Sequence, residues 1–180
     1  MNNTDKTVIL IEILLGMRYL HSLDISHNNL NPESIVISNH SKLAYVGTSC
    51  YNTNASFISS KMIEAIQSST DTEIKHQLEK QSDIFAFGTL IYYIFTNGLN
   101  PSTFSPNELK TAVDNNCFYQ ITSEIIENCW KVIDSSQSDE ISFSAIFDLI
   151  KNANYQIADN VCYEAIEKRV FEIEHFEQKQ

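Results

Sequence analysis

The first run of apolar residues in the chain has helical spacing. Between Thr7 and His21, five apolar side chains fall on one helical face: Leu10, Ile13, Leu14, Met17 and Leu20. This pattern predicts an amphipathic helix over 7–21. Residues 1–6 are mostly polar, and we expect them to form a disordered N-terminus.

Two short runs after this helix have the composition of β-strands. Ile35–Ser38 and Lys42–Tyr45 flank Asn39-His40-Ser41, whose residue types favour a turn. The segment before them, Ser26–Asn31, is polar and lacks periodicity. The pattern therefore predicts a loop followed directly by a small β-hairpin.

The most apolar helical segment is Ser82–Thr96, which is hydrophobic on nearly every side. A helix of this kind is usually buried in the middle of a domain. We expect Ser82 or Asp83 to cap its N-terminus and Gly98 to end it. The polar stretch before it, 70–81, is predicted to be a surface segment.

Five further segments have helical patterns: Lys61–Ser68, Ser105–Asn115, Thr122–Val132, Ser142–Ala153 and Val161–Gln178. The prediction is a mainly α fold with about seven helices and one small β-hairpin. We expect one domain over 7–153 and an acidic helical tail over 154–180. The apolar stripe of the last helix is expected to dock on its own domain rather than on a partner.

Charge and cysteine content exclude several classes of function. The formal net charge is −11, and residues 121–180 hold 12 acidic against 5 basic residues. This acidity argues against nucleic acid or an anionic membrane as partner, because both bind through basic patches. The four cysteines are scattered without a CxxC pair, which argues against a metal site and favours a reducing compartment. Because no apolar run approaches the roughly 20 residues of a membrane span, we expect a cytoplasmic protein.

The polar loop and the hairpin together resemble a known pair of motifs. His27–Val36 resembles the catalytic loop of protein kinases, His-Arg-Asp-Leu-Lys-Pro-x-Asn-Ile-Leu, and it keeps the His, Leu, Pro and Ile. Lys42–Gly47 resembles the kinase strand that leads into Asp-Phe-Gly, with Tyr45 in place of Asp. The order and spacing of the two motifs match those of the family.

Later segments extend the resemblance to about residues 7–150. Ser82–Gly88, continuing to Pro101, resembles the central-helix signature SDxxxFGxxLxxxxTGxxP, and Cys129-Trp130 resembles a segment of tyrosine-kinase-like families. Each of the four glycines stands where the family pattern has one: Gly16, Gly47, Gly88 and Gly98. Since the resemblance begins at the helix before the catalytic loop, the expected fold is the large lobe of a protein kinase, with the small lobe absent.

The resemblance also implies that the catalytic residues are replaced. Asn29 stands where the family has the aspartate that orients the nucleophile and accepts its proton, and an amide cannot do the latter. Tyr45 replaces a magnesium-binding carboxylate, and Ser34 replaces the asparagine that holds a second metal. Asn31 replaces the lysine that neutralises the moving phosphate. We therefore expect no catalytic residue, metal or cofactor; ATP and magnesium would be needed only by an active kinase.

Other positions keep the residues that shape the family's fold: His27, Leu30, Pro32, Gly47, Glu64, Asp83, Gly88 and Trp130. The resemblance implies that His27 anchors the loop in the core and that Asp83 accepts backbone N–H groups beneath it. Glu64 resembles a glutamate that the family pairs with arginine. Because Glu140 stands at the arginine position, we expect that pair to be absent and Glu64 to be solvated or to meet Lys61.

These observations favour a catalytically inactive, pseudokinase-like binding or scaffold module rather than an enzyme. Without a small lobe, the first helix and the hairpin would expose apolar surface, so a protein partner or a second copy is expected there. Two alternatives stay open. One is an active or formerly active Ser/Thr protein kinase of the tyrosine-kinase-like group, and the other is a truncated kinase gene product without independent function.

Overall fold

The computed structural model describes residues 1–37, 41–43, 46, 57–99, 101, 106–116, 118–131 and 141–176. Within these ranges the chain forms seven α-helices, one 3₁₀ turn (Pro32–Ser34) and one antiparallel pair of strands. The helices are α1 (Asn3–Ser22), α2 (Ser60–Ser68), α3 (Thr72–Phe95), α4 (Pro106–Asn115), α5 (Gln120–Lys131), α6 (Phe143–Asn152) and α7 (Tyr163–Phe176). The strands are β1 (Ile35–Ile37) and β2 (Ser41–Leu43). The predicted mainly α class with one small hairpin is confirmed.

Helix α3 is the centre of the fold. Every residue from Gln81 to Tyr92 is buried, and α1, α2 and α5 pack around this stretch. The buried polar side chains of the stretch are hydrogen-bonded; Ser82 Oγ, for example, donates to the carbonyl oxygen of Glu79 at 2.8 Å. The predicted central buried helix is therefore present.

The predicted start of α3 is wrong. The helix begins at Thr72, and its N-cap is Asp71, whose side chain accepts hydrogen bonds from the N–H groups of Glu73 and Ile74. Residues 72–80 are exposed or half-buried. Because a helix at the surface does not need a continuous apolar face, their polar sequence showed no helical pattern. Ser82 and Asp83 lie inside the helix, which leaves the carboxylate of Asp83 free to bind another part of the chain.

The expected disorder of residues 1–6 is also wrong, because α1 begins at Asn3. The side chain of Asn2 caps the helix by accepting a hydrogen bond from the N–H of Asp5 at 2.8 Å. Thr4 Oγ1 accepts a hydrogen bond from the N–H of Cys162 at 3.0 Å. The N-terminus is thus ordered by a local cap and by contacts with a segment far away in the sequence.

A glycine permits the close packing of α3 against α5. A Cβ atom added at Gly88 would lie 2.5 Å from the Cβ of Cys129, a separation that real Cβ atoms do not adopt. One residue further along each helix, the indole Nε1 of Trp130 donates to Thr89 Oγ1 at 3.1 Å. Cys129 is fully buried in this contact, and burial raises the pKa of its thiol.

The hairpin lies against α1. β1 and β2 pair antiparallel with Val36 opposite Lys42, and β2 packs on α1 near Gly16 and Leu43. Ile35 is half-buried, whereas Val36 and Ile37 are 49% and 60% exposed. The hairpin therefore presents apolar side chains to the outside.

Helix α7 docks on α1, as expected from its apolar stripe. Ile166 and Val170 are buried, and the guanidinium of Arg169 forms an ion pair with Glu12 of α1. Only 5% of the Glu12 side chain is exposed. The acidic C-terminal helix is thus an integral part of the domain core.

The described residues contain neither a membrane-spanning helix nor a cluster of metal-binding side chains. No helix in them combines the length and apolarity needed to cross a bilayer. The same residues contain no group of three or more His, Cys, Asp or Glu side chains arranged to hold a metal ion.

Candidate functional site

The candidate site is the loop between α1 and β1, residues 26–34, which rests on the middle of α3. Asp83 Oδ2 accepts the N–H of His27 at 2.7 Å, and Asp83 Oδ1 accepts the N–H of Asn28 at 2.9 Å. The carboxylate is 1% exposed. Because charged acceptors make stronger hydrogen bonds than neutral ones, this contact fixes the loop backbone to the core.

The backbone of Asn28 has an unusual conformation, which the hydrogen bond to Asp83 stabilises. Its φ angle is +63°, in the left-handed region that side chains with a Cβ rarely adopt. Asparagine tolerates this region better than most residues. The residue type at position 28 therefore suits the shape of the loop, and the hydrogen bond to Asp83 holds that shape in place.

His27 is fully buried beneath the loop. Its Nδ1 accepts the N–H of Asn29 at 3.3 Å, so the proton of the neutral ring lies on Nε2, which has no hydrogen-bond partner among the described residues. Burial lowers the pKa of His27, and the nearby charge of Asp83 opposes that shift. The neutral imidazole therefore packs in the core and supports the loop.

The side chains of Asn29 and Asn31 bind one another. Asn31 Nδ2 donates to the side-chain Oδ1 of Asn29 at 2.8 Å and to the carbonyl oxygen of Asn29 at 3.0 Å. Asn31 is 3% exposed, so both amide hydrogens are used inside the protein. The side chain of Asn29, which stands at the family's proton-acceptor position, is thus hydrogen-bonded to Asn31 within the loop.

Asn31 and Ser34 close the other half of this network. Asn31 Oδ1 accepts the N–H groups of Glu33 at 2.8 Å and Ser34 at 3.2 Å, while Ser34 Oγ accepts the N–H of Asn31 at 3.1 Å. This reciprocal arrangement is a capping box, with Pro32 at the first position of the 3₁₀ turn. We call the linked side chains of Asn29, Asn31 and Ser34 the amide network.

The amide network is uncharged, and its members satisfy one another. Four polar atoms of Asn29, Asn31 and Ser34 have partners inside the loop: two amide oxygens, one amide nitrogen and one hydroxyl oxygen. A general base needs a group that can take a proton near the working pH, and amides and hydroxyls do not. The arrangement is suited to holding the loop shape.

The remaining sequence-predicted residues are spread around the site. Leu30 of the loop is buried, and Trp130 of α5 is buried and hydrogen-bonded to Thr89 of α3. Glu64 is exposed on α2. Tyr45, Gly47 and Glu140 lie outside the described residues, so their expected roles stay predictions.

One residue of the site was missed in the sequence. The ring of His21, at the end of α1, places Nε2 3.0 Å from Asp83 Oδ2, and it packs edge-on against Phe143 at 4.7 Å between ring centroids. Asp83 therefore receives three hydrogen bonds, two from the loop backbone and one from α1. A histidine in the last turn of a helix just before the loop was the available signal.

The part of the chain that contains the site matches a known protein family. A family model described as protein tyrosine and serine/threonine kinase matches residues 1–150. Among curated proteins of Dictyostelium discoideum, the probable serine/threonine-protein kinase irlE is 31% identical over 98 residues, which cover 52% of this chain and 7% of irlE. The probable serine/threonine-protein kinase irlB is 31% identical over 116 residues, covering 55% of this chain and 8% of irlB. The chain thus spans less than a tenth of the length of these relatives.

Proposed function

The chain belongs to the protein tyrosine and serine/threonine kinase family, and from this premise we propose that it is a catalytically inactive, kinase-like binding module. Its mainly helical fold is that of a kinase-like large lobe. The observation that carries the proposal is the amide network. Phosphoryl transfer depends on positioned charges, and the network places none at the three positions where the family has an aspartate, a lysine and an asparagine.

The geometry of the network supports inactivity more strongly than the substitutions alone. The Oδ1 atom of Asn29 already accepts a hydrogen bond from Asn31, so one of its two lone pairs is used inside the loop. Loss of a general base alone typically lowers a rate by about 10²–10⁴. The proposal therefore includes no role for ATP or magnesium.

Binding is proposed for the apolar outer surface of the hairpin. Val36 and Ile37 are about half or more exposed, and exposed apolar patches often mark protein interfaces. We assign a protein partner or a second copy of the chain to this surface, in line with a scaffold role.

A second candidate is an active serine/threonine protein kinase. The names of the relatives irlE and irlB favour it, since each is described as a probable serine/threonine-protein kinase. In that case ATP and magnesium would be required, and Asn29 or Tyr45 would be essential for phosphate transfer.

A thermal-shift measurement with ATP, with and without magnesium, separates the two candidates. The inactive module is expected to show no metal-dependent rise in melting temperature and no phosphate transfer to a general protein substrate. Asn29→Asp is the matched variant, because aspartate can still accept the hydrogen bond from Asn31 while adding the missing base. We expect it to stay inactive as well. Magnesium-dependent transfer that is lost in Asn29→Ala would establish the kinase and refute the proposal.

The binding surface can be tested by light scattering at increasing protein concentration. Ile37→Ser should reduce self-association, or binding of an identified partner, if the hairpin is the interface. Ile74→Ser is the matched control, because Ile74 is similarly exposed but lies on α3. A wild-type protein that stays monomeric and binds its partner equally well after Ile37→Ser would exclude this surface.

A further inference from the structure

A cavity of about 380 Å³ lies between the N-terminal half of α1, the hairpin and the C-terminal half of α3. Its walls are largely apolar and include Ile9, Ile35, Leu90 and Ile94. It opens to solvent beside Ile37, which is 60% exposed. None of the three side chains of the amide network lines it, although Pro32 of the same loop does, so the cavity borders the site described above.

One charged side chain reaches this apolar cavity. Lys6 lines it and is only 7% exposed. Its Nζ donates to the side-chain Oδ1 of Asn97 at 2.8 Å and lies 5.9 Å from the centre of the Phe95 ring. Among the described residues, no carboxylate forms an ion pair with Lys6.

The local partners offset only part of the lysine charge. Asn97 contributes a neutral amide oxygen, and the C-terminal end of α3 contributes the equivalent of about half a negative charge. A buried ammonium group without a full counter-charge is costly, and proteins usually pair such groups. An anion would therefore be favoured beside Lys6 at one end of the cavity, and apolar groups would be favoured against the rest of its wall.

We propose that this cavity binds a small apolar carboxylate, with the carboxylate on Lys6 and Asn97 and the hydrocarbon part against Leu90 and Ile94. Small-molecule sites are typically cavities of about 300–1,000 Å³ with apolar walls and a few convergent polar groups. The volume of about 380 Å³ lies near the lower end of that range, so the space suits a small ligand. The side chain of Asn97 can donate through its amide nitrogen while its oxygen stays on Lys6.

The size and charge of the cavity favour a small molecule over a macromolecular segment. The single ammonium at one end matches one terminal anion, and a volume of about 380 Å³ suits one small ligand. A protein segment docking here would instead use the exposed rim at Ile37 more than Lys6.

The probes for the test are octanoate and octanamide, which have nearly the same size and shape but differ in charge. Methyl resonances of Ile9, Leu90 and Ile94 should shift and saturate with octanoate. The affinity for octanamide should be at least about tenfold lower, because it lacks the anion. Equal affinity for the two probes, or no saturating shift at these methyl groups up to millimolar octanoate, would overturn the proposal.

Three variants make the test specific. Lys6→Met should remove the preference for octanoate over octanamide, and Ile94→Trp, which fills the cavity, should remove binding of both. Lys110→Met on α4 is the matched control, since Lys110 is exposed, and it should leave both affinities unchanged. If Ile94→Trp does not fold, the comparison of the two probes on the wild-type protein still decides. Octanoate binding that persists unchanged in Lys6→Met would refute the assigned anion site.

Discussion

The Oδ2 atom of Asp83 lies 2.7 Å from the backbone nitrogen of His27, although the two residues are 56 positions apart in the sequence. The same carboxylate accepts the N–H of Asn28 and the Nε2–H of His21. A single buried group in the central helix therefore joins the end of α1 to the loop that follows it. This contact explains how a loop without charged catalytic residues keeps a defined shape.

The first prediction concerns this carboxylate. Asp83→Asn replaces one carboxylate oxygen with an amide nitrogen. This nitrogen cannot accept a hydrogen bond, and it would lie next to an N–H group that now has no acceptor. Losing hydrogen bonds to a charged group and leaving buried donors unpaired should lower the free energy of unfolding by about 3 kcal/mol. Urea denaturation followed by circular dichroism measures this. Asp114→Asn on the exposed face of α4 is the control and should change stability by less than about 0.5 kcal/mol.

The second prediction uses the left-handed backbone of Asn28. Asn28→Gly should be nearly neutral, because glycine adopts a φ of +63° without strain. Asn28→Ala should lower the free energy of unfolding by about 1 kcal/mol, since its Cβ is disfavoured in this region. Chemical denaturation of the two variants side by side gives the comparison. Equal stability of the glycine and alanine variants would show that position 28 is not held in the left-handed region in solution.

Periodicity predicted the existence of the helices, and local caps decided where they begin. α2 and α6 fall within one residue of their expected bounds, because serine caps stand directly before apolar periodic residues. The start of α3 was misplaced by ten residues, between Thr72 and Ser82. There the cap Asp71 precedes a polar turn of helix that lies at the surface, so no apolar pattern marked it.

The sequence predicted which residues support the loop of the site, but it did not predict the hydrogen bonds between the loop's side chains. The family resemblance identified His27 and Asp83 as supporting residues, because both stand in motifs whose residue types and spacing match the family. The contact between Asn29 and Asn31 depends on side-chain directions that only the folded loop sets. The burial of Lys6 likewise arises from packing between the chain's N-terminal helix and the distant end of α3.

The third prediction tests the close approach of α3 and α5. Gly88→Ala would place a Cβ 2.5 Å from the Cβ of Cys129, and the helices must separate to admit it. Overpacking of this kind costs about 1–3 kcal/mol, and the better helix propensity of alanine offsets up to about 1 kcal/mol. We expect a net loss of about 2 kcal/mol in chemical denaturation.

Gly16→Ala provides the comparison for Gly88→Ala, because Gly16 also lies inside a helix. Its added Cβ would meet only the side chain of Leu43, with Cδ1 at 3.0 Å and Cγ at 3.6 Å, and the Cδ1 end can rotate away. We expect Gly16→Ala to change stability by less than about 1 kcal/mol. A smaller loss in Gly88→Ala than in Gly16→Ala would contradict the packing described for α3 and α5.

The fourth prediction concerns the docking of α7. A double-mutant cycle with Glu12→Gln and Arg169→Met should give a coupling energy of about 1–3 kcal/mol, because Glu12 is almost fully buried. The pair formed by Arg18 and Glu174 joins the same two helices, but its side chains are about one-third exposed. Its coupling energy should be below about 1 kcal/mol. Equal coupling energies for the two pairs would mean that burial does not distinguish them in solution.

The last prediction is a pH dependence that originates at His27. Burial lowers its pKa in the folded protein below the ordinary value of 6.5. As the pH falls through 6.5, the unfolded chain therefore takes up a proton that the folded chain does not bind, and acidification favours unfolding. Protonation of Nδ1 would also break its hydrogen bond from the N–H of Asn29.

The comparison is between the wild-type protein and His27→Phe, which keeps a ring at this position but cannot take a proton. The wild-type protein should lose stability relative to the variant below about pH 6.5, by at most about 1.4 kcal/mol per pH unit. Above pH 7.5 the stability difference between them should be constant, because both the folded and unfolded forms of His27 are then neutral. The imidazole resonances of His27 give an independent check, since their titration midpoint in the folded protein should lie below 6.5. A His27 titration midpoint at or above pH 6.5 in the folded protein would show that burial does not control this residue.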